Sequence, residues 1–152
     1  MANTATSIYF DGSGDSIDIA DHDNFNFGTS DWCVEGWVYP TTVSGSQTYW
    51  NTWSTTGTSD AICSIWMMWV NSGNLKINLG NSGTGDWNIA SSLDTGYNMI
   101  VNNWQHMVFQ FNSSGYQVFV NGVLEYMLVS TTRVQNVKRG VRIGNLYSGP
   151  YP

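Results

Sequence analysis

The feature that most constrains the fold is an alternation of apolar and polar residues that recurs in short segments. Residues 31–40, DWCVEGWVYP, show it best. The small and apolar positions are Trp32, Val34, Gly36 and Val38. A period of two predicts a strand with one face on a hydrophobic core. We expect Glu35, Trp37 and Tyr39 to occupy the second face, which without a second acid suits packing or recognition and not hydrolysis.

The same alternation predicts an antiparallel β sandwich or barrel with almost no helix, because turn residues separate the apolar segments. Asn121-Gly122 is the strongest hairpin signal, since a type I′ turn needs positive φ at both central residues. The stretch 80–98 is rich in Gly, Ser, Asn and Thr and is interpreted as a long surface loop with at most one short strand. The predicted strands are 6–10, 15–19, 31–39, 47–53, 61–70, 74–79, 104–112, 115–120, 123–129 and 140–144.

Chain length and net charge limit the classes of function that the sequence can have. The 152 residues fit one domain, 1–152, and the net charge of −6 would repel phosphate, which argues against nucleic-acid binding. No apolar run approaches the ~20 residues of a membrane span, and the N-terminus has no signal-peptide pattern. Cys33 and Cys63 do not form a zinc motif, and a disulfide between them is one alternative to two free thiols.

Four stretches taken together resemble one family. They are YFDGSGDSIDI, FNFGTSDWCVEGWVYP, NNWQHMVFQFNSSGYQVFVNGV and VRIGN. Their order and spacing resemble the laminin-G-like branch of the concanavalin A-like lectin/glucanase superfamily. The resemblance implies a jelly-roll sandwich of two antiparallel sheets. Family members usually continue past the RIG strand with a last strand, whereas this sequence stops at NLYSGPYP, so we expect one sheet edge to be open and available to another chain.

Catalysis is not expected. Glucanases of the superfamily carry a Glu-x-Asp-x-x-Glu pattern, and this sequence has only Glu35 and Glu125, far apart. Glycoside hydrolysis needs two carboxyl groups within about 5–10 Å of each other. His22 and His106 are the only histidines, and neither belongs to a recognisable triad. In the resembling strand, WQHM, the family implies a structural role for His106.

A metal site is one of two interpretations of the acidic N-terminal loop. The spacing excludes an EF-hand, because position six after Asp11 is Ser16. The resemblance implies a single structural Ca²⁺ held by loop oxygens, with Asp11 at the position of the family's Phe-Asp-Gly aspartate. Asp15 is the second candidate ligand. The other interpretation is that these aspartates cap tight turns. No cofactor is required by either.

Sugar binding is suggested by the aromatic residues. Eight Trp in 152 residues exceed what one core needs, and an exposed indole is a usual platform for the apolar face of a sugar ring. Trp32 and Trp104 are expected to be packed. Trp50, Trp53 and Trp87 lie in or beside polar segments and are the predicted platform, with packing against loops or a partner protein as the alternative.

A protein partner is predicted at the C-terminal region, about 130–152. The basic strip is Arg133, Lys138, Arg139 and Arg142, and Tyr147 and Tyr151 follow it. Together with the expected open edge, this predicts a contact with a capsid or other virion subunit, or with a second copy. The sequence therefore suggests a non-catalytic decoration protein on a virion surface or otherwise outside the cell. The alternative is a carbohydrate-binding module of a cell-surface or tail adhesin.

Overall fold

A computed structural model describes residues 6–53, 64–81, 87–135 and 139–144. The described residues form an all-β sandwich of two antiparallel sheets, with short 3₁₀ turns at Asp23–Phe25 and Asn71–Gly73. The predicted fold class is confirmed. The strands are β1 (Ile17–His22), β2 (Trp32–Val38), β3 (Gln47–Trp53), β4 (Ile65–Val70), β5 (Asn74–Leu79), β6 (Ala90–Asn98), β7 (Gln105–Asn112), β8 (Gly115–Val120), β9 (Val123–Leu128) and β10 (Arg139–Ile143).

The two sheets differ in size and in how the chain enters them. The larger has six strands in the order β1-β10-β3-β4-β5-β6, and the smaller has four in the order β2-β7-β8-β9. β10 is an interior strand, paired with β1 on one side and β3 on the other. Among the described residues, β2 pairs only with β7, so the second edge of β2 is open. β1, β6 and β9 are the other edge strands of the described sheets, so no one edge is singled out as the one expected from the sequence, and that expectation stays a prediction.

The core lies between the sheets and is unusually aromatic. Trp32 from the small sheet meets Phe109 at a ring-centroid distance of 5.2 Å and Trp50 of the large sheet at 6.4 Å. Trp50 is 1 % exposed, and Phe27 packs on it at 5.9 Å. Burying a side chain of this size contributes about 1.5–3 kcal/mol, so these rings fix the spacing of the two sheets.

The alternation of β2 and β7 explains why each strand has one inward face. Val34 and Val38 pack against the core, while Glu35 and Trp37 are exposed on the opposite side. The hairpin between β8 and β9 turns at Asn121 and Gly122, with φ of 51° and 80°. These values confirm the type of turn that the Asn-Gly pair predicts.

Two segments differ from the prediction. Residues 6–10 are not a strand, and Ile8 and Tyr9 are 69 % and 73 % exposed, since no described strand pairs with them. Residues 90–98 form β6, a nine-residue edge strand, instead of a loop. Ser92 and Gly96 interrupt its regular twist with φ of 45° and 80°. Its polar residues other than the buried Thr95 face solvent, so its apolar signal is weak.

Tyr116 is a buried phenol whose ionisation opposes folding. It is 1 % exposed, its hydroxyl donates to the carbonyl of Thr132 at 2.8 Å, and burial raises its pKa to about 12. Between pH 10, the ordinary value, and pH 12 the unfolded chain loses a proton that the folded chain retains. The folded-state pKa is raised, so the stabilisation is complete below pH 10 and is lost as the pH rises.

We predict that the free energy of unfolding falls by ~2 kcal/mol per such residue across this window. The measurement is chemical denaturation from pH 8 to 12 for the wild type and for Tyr116→Phe. The phenylalanine variant should show a shallower decline, with the remainder due to Tyr49, whose pKa burial also raises to about 12. Equal slopes for the two proteins would contradict this account of Tyr116.

Candidate functional site

The candidate site is a cleft of about 650 Å³ at the open edge of β2. Its lining comes from residues 6–10, from the end of β2 and the residues that follow, and from the start of β3. Tyr49 and Trp69 are among its less exposed residues, and its exposed residues include both aromatic or apolar and polar side chains. The exposed aromatic and apolar lining residues are Ile8, Tyr9, Trp37, Tyr39 and Trp104, and the exposed polar ones are Thr6, Ser7, Glu35, Thr41 and Thr42. A concave surface that combines exposed aromatic rings with polar side chains is typical of a ligand site.

Trp37 is the most exposed indole on the described surface, at 64 %. Its side chain points away from the core, because its neighbours Gly36 and Val38 face the core and successive residues of a strand face opposite sides. The register of β2 places Trp37 opposite His106 of β7. The Trp37 and His106 rings are 5.1 Å apart and tilted by 38°. The amide of His106 donates to Oδ1 of Asn121 at 2.9 Å, so the β8–β9 turn fixes the residue that supports Trp37.

Tyr39 and Trp104 form a second aromatic pair, with ring centroids 5.4 Å apart. A backbone hydrogen bond from the amide of Asn102 to the carbonyl of Pro40, 2.8 Å long, ties the turn before β7 to the end of β2. Gln105 anchors the same turn from inside, donating to the carbonyl of Ile100 at 2.9 Å. Trp104 is 47 % exposed, so the expectation that it is packed is wrong: the turn directs its ring outward.

Glu35 is the one residue charged at neutral pH among the described residues that line the cleft. Its side chain is 63 % exposed, and its Oε2 lies 3.6 Å from Nε2 of His106. Glu35 and Trp37 are two residues apart on one strand face, which places their side chains side by side. A ring stacked on Trp37 would therefore lie next to a carboxylate that accepts hydrogen bonds.

Tyr49 closes the cleft against the backbone of β2. A Cβ added at Gly36 would lie 2.5 Å from the Tyr49 hydroxyl oxygen but 3.7 Å from its ring carbon Cζ. Burial raises the pKa of Tyr49 to about 12, with a smaller contribution from the charge of Glu35. Glycine at position 36 therefore lets the Tyr49 hydroxyl approach the strand.

We predict that Gly36→Ala lowers the free energy of unfolding by about 1–3 kcal/mol, because an added methyl group in a filled space forces displacement. In a Tyr49→Phe background the same substitution should be much less damaging, since the clashing oxygen is gone. Thermal or urea denaturation of the two single variants and the double variant measures this coupling. Additive effects of the two substitutions would contradict the contact.

The tryptophans selected from the sequence have different outcomes. Trp50 belongs to the inner face of β3 and is buried in the core, so its assignment to an exposed platform is wrong. The side chain of Trp53 lies outside the described residues. Trp87 is half-buried and packs on Trp66 with ring centroids 6.2 Å apart. Neither Trp66 nor Trp87 lines the cleft, so Trp87 stays a separate prediction.

The acidic loop forms internal turns. Asp15 accepts a hydrogen bond from the amide of Asp11 at 2.9 Å, and Asp11 accepts one from the amide of Ser13 at 2.7 Å. Within the described parts of the chain, no group of three or more His, Cys, Asp or Glu side chains is placed to hold a metal ion. The hydrogen bonds of Asp11 and Asp15 are those of turn-capping aspartates, and the single structural Ca²⁺ stays a prediction.

Where the structure describes the side chains of the basic strip, they pair with carboxylates of the same chain. Arg142 is 6 % exposed and donates from Nε and Nη2 to both carboxylate oxygens of Asp18, at 2.5 and 2.6 Å. The expectation that Arg142 is a free contact residue is therefore wrong. Arg133 pairs with Asp31 at 3.1 Å and lies over the ring of Phe111. Lys138, Tyr147, Tyr151 and the side chain of Arg139 lie outside the described residues.

The comparisons with known proteins agree with this architecture. The laminin-G-type model of the concanavalin A-like lectin/glucanases superfamily matches residues 11–152. No curated protein matches the sequence. A similar solved structure is domain 4 of AbnA, a GH43 extracellular arabinanase from Geobacillus stearothermophilus, in complex with arabinotriose. It has 18 % identity and a TM-score of 0.59, and the match covers 89 % of this chain and 60 % of that one.

A sialidase from Trypanosoma rangeli, in complex with a difluorinated keto-deoxy-nononic acid, is also similar. It has 12 % identity and a TM-score of 0.50. The match covers 83 % of this chain but only 18 % of the sialidase chain. This chain therefore spans less than two thirds of either neighbour, and at these identities the similarity is one of fold.

Proposed function

Because this chain belongs to the concanavalin A-like lectin/glucanases superfamily, we propose that it binds glycans without cleaving them, in the cleft beside β2. The observation that carries the proposal is the pair of exposed indoles, Trp37 and Trp104, at the rim of a concave surface. Exposed indoles of this kind stack on the C–H faces of sugar rings, and nearby polar groups then bind the hydroxyls.

The positioning of the rings supports this role. Trp37 rests on His106, and Trp104 rests on Tyr39 in a turn held by the Asn102–Pro40 hydrogen bond. Such support limits the side-chain entropy lost when a ligand binds. Two ring pairs along one rim suit an oligosaccharide better than a single sugar. The fold neighbour from the arabinanase holds arabinotriose, which makes short neutral oligosaccharides the first ligands to test.

The absence of catalysis is part of the proposal. Hydrolysis needs an acid and a second carboxylate, about 5–10 Å apart across the scissile bond. Glu35 is the single carboxylate among the described lining residues of the cleft, and its neighbour is an imidazole. Glu35 is therefore suited to accept hydrogen bonds from hydroxyls.

We predict that Trp37→Ala and Trp104→Ala each weaken oligosaccharide binding by about 3- to 10-fold, the value of one aromatic contact. Neither change removes a core contact, so the melting temperature should stay within a few degrees of the wild type. Titration calorimetry with arabinotriose and other neutral trisaccharides measures the affinity. Trp87→Ala is the control, since Trp87 lies outside the cleft.

Loss of binding in Trp87→Ala alone would move the site to the Trp66–Trp87 pair. The absence of any bound oligosaccharide at millimolar concentration would overturn the proposed function. The virion surface and the adhesin setting expected from the sequence stay predictions, because fold similarity does not bear on them.

Attachment to another protein is a second candidate function, favoured by the open edge of β2. An unpaired edge presents amide and carbonyl groups to any extended chain. If the edge is used in this way, amide exchange in β2 should be fast in the isolated chain and slow in the intact assembly. Equally fast exchange in both states would count against attachment through β2, with β7 as the internal standard since it is paired on both sides.

A further inference from the structure

The described lining of the cleft carries a negative charge and no positive charge. Glu35 is its only residue charged at neutral pH within the described lining. The cations whose side chains the structure describes are Lys76, Arg133 and Arg142, and none of them lines the cleft. Arg133 and Arg142 are paired with Asp31 and Asp18. An anionic ligand would therefore meet a carboxylate with no lining cation to compensate it.

Any ligand that stacks on Trp37 would lie close to the negative charge of Glu35. Glu35 shares a strand face with Trp37, and the two Cα atoms are two residues apart, roughly 6.6 Å. The imidazole of His106 touches both: its ring packs on Trp37 and its Nε2 lies 3.6 Å from Glu35. Carboxylate, imidazole and indole thus form one continuous surface.

Resting on the proposed function, we propose that Glu35 determines specificity, so that the cleft accepts uncharged glycans and rejects acidic ones. The carboxylate accepts hydrogen bonds from neighbouring hydroxyls of a sugar stacked on Trp37, and such bonds are stronger than those between neutral groups. A uronate, sialate or sulfate group placed at the same distance is repelled. At a partly exposed site this repulsion amounts to on the order of 10-fold in affinity.

His106 is a positioning residue in this scheme. The amide of Asn121 donates to the carbonyl of His106 at 2.8 Å, in addition to the bond from the His106 amide to Asn121, so the imidazole is anchored at its backbone. A ring that only supports Trp37 would affect all ligands equally. A ring that also orients Glu35 affects the preference between neutral and acidic ligands.

The experiment is a glycan array printed in matched pairs. Each neutral oligosaccharide, including arabinotriose, is paired with the same oligosaccharide whose terminal primary alcohol is oxidised to a carboxylate. The wild type should bind neutral members about 10-fold or more above their acidic partners. Glu35→Gln keeps the shape and an acceptor oxygen but removes the charge, so it should bind neutral members more weakly and bring the ratio near one.

The chain offers a matched control. Glu125→Gln changes the net charge of −6 by the same amount, but Glu125 is on β9, outside the cleft. It should leave the ratio unchanged. His106→Phe keeps a ring beside Trp37 and removes the link to Glu35, so it should lower the ratio more than it lowers binding of neutral members.

The outcomes separate this inference from the proposed function. Binding of neutral and acidic members with equal strength by the wild type, or an unchanged ratio in Glu35→Gln, would overturn the role of Glu35 while leaving glycan binding intact. The absence of binding to every pair would overturn the proposed function itself. A ratio that falls equally in Glu125→Gln would assign the preference to overall charge.

Discussion

The packing of aromatic rings between the two sheets is the interaction on which the rest of the molecule depends. Trp32 of the small sheet reaches Trp50 of the large one, while Phe109 and Tyr116 pack on Trp32 and on each other. Because the inward positions of β2 are occupied in this way, its outward positions are fixed in number and direction. The exposed rim of the cleft is thus a consequence of core packing at the alternate positions of the same strand.

The strands with clear alternation could be predicted from the sequence, and the bounds of 47–53, 74–79 and 115–120 agree with the structure. The strand predictions failed where strand formation depends on pairing with a neighbouring strand. Residues 6–10 have a strand pattern but no paired neighbour among the described residues. Residues 90–98 have a weak apolar pattern, yet β5 provides a partner for β6. Local sequence reports which face is apolar but not whether a neighbouring edge is available.

The candidate site was predicted only in part, for a related reason. The exposure of Trp37 follows from alternation alone. The polar neighbours of Trp50 suggested an exposed side chain, but Thr52 is buried and accepts bonds from the amides of Ser64 and Ile65 at 3.0 Å. Polar residues satisfied inside a sheet resemble surface residues in a sequence. The outward ring of Trp104 depends on the Asn102–Pro40 bond between distant segments, which composition does not reveal.

The Asn102–Pro40 hydrogen bond has an evolutionary consequence, because it joins main-chain atoms only. The turn that carries Trp104 and the strand end that carries Tyr39 stay together whatever side chains they bear. Drift at the rim can then exchange one ligand for another while selection on stability acts on the inward positions. Such a division between a constant frame and a free rim is one way in which two proteins with 18 % identity can keep one architecture.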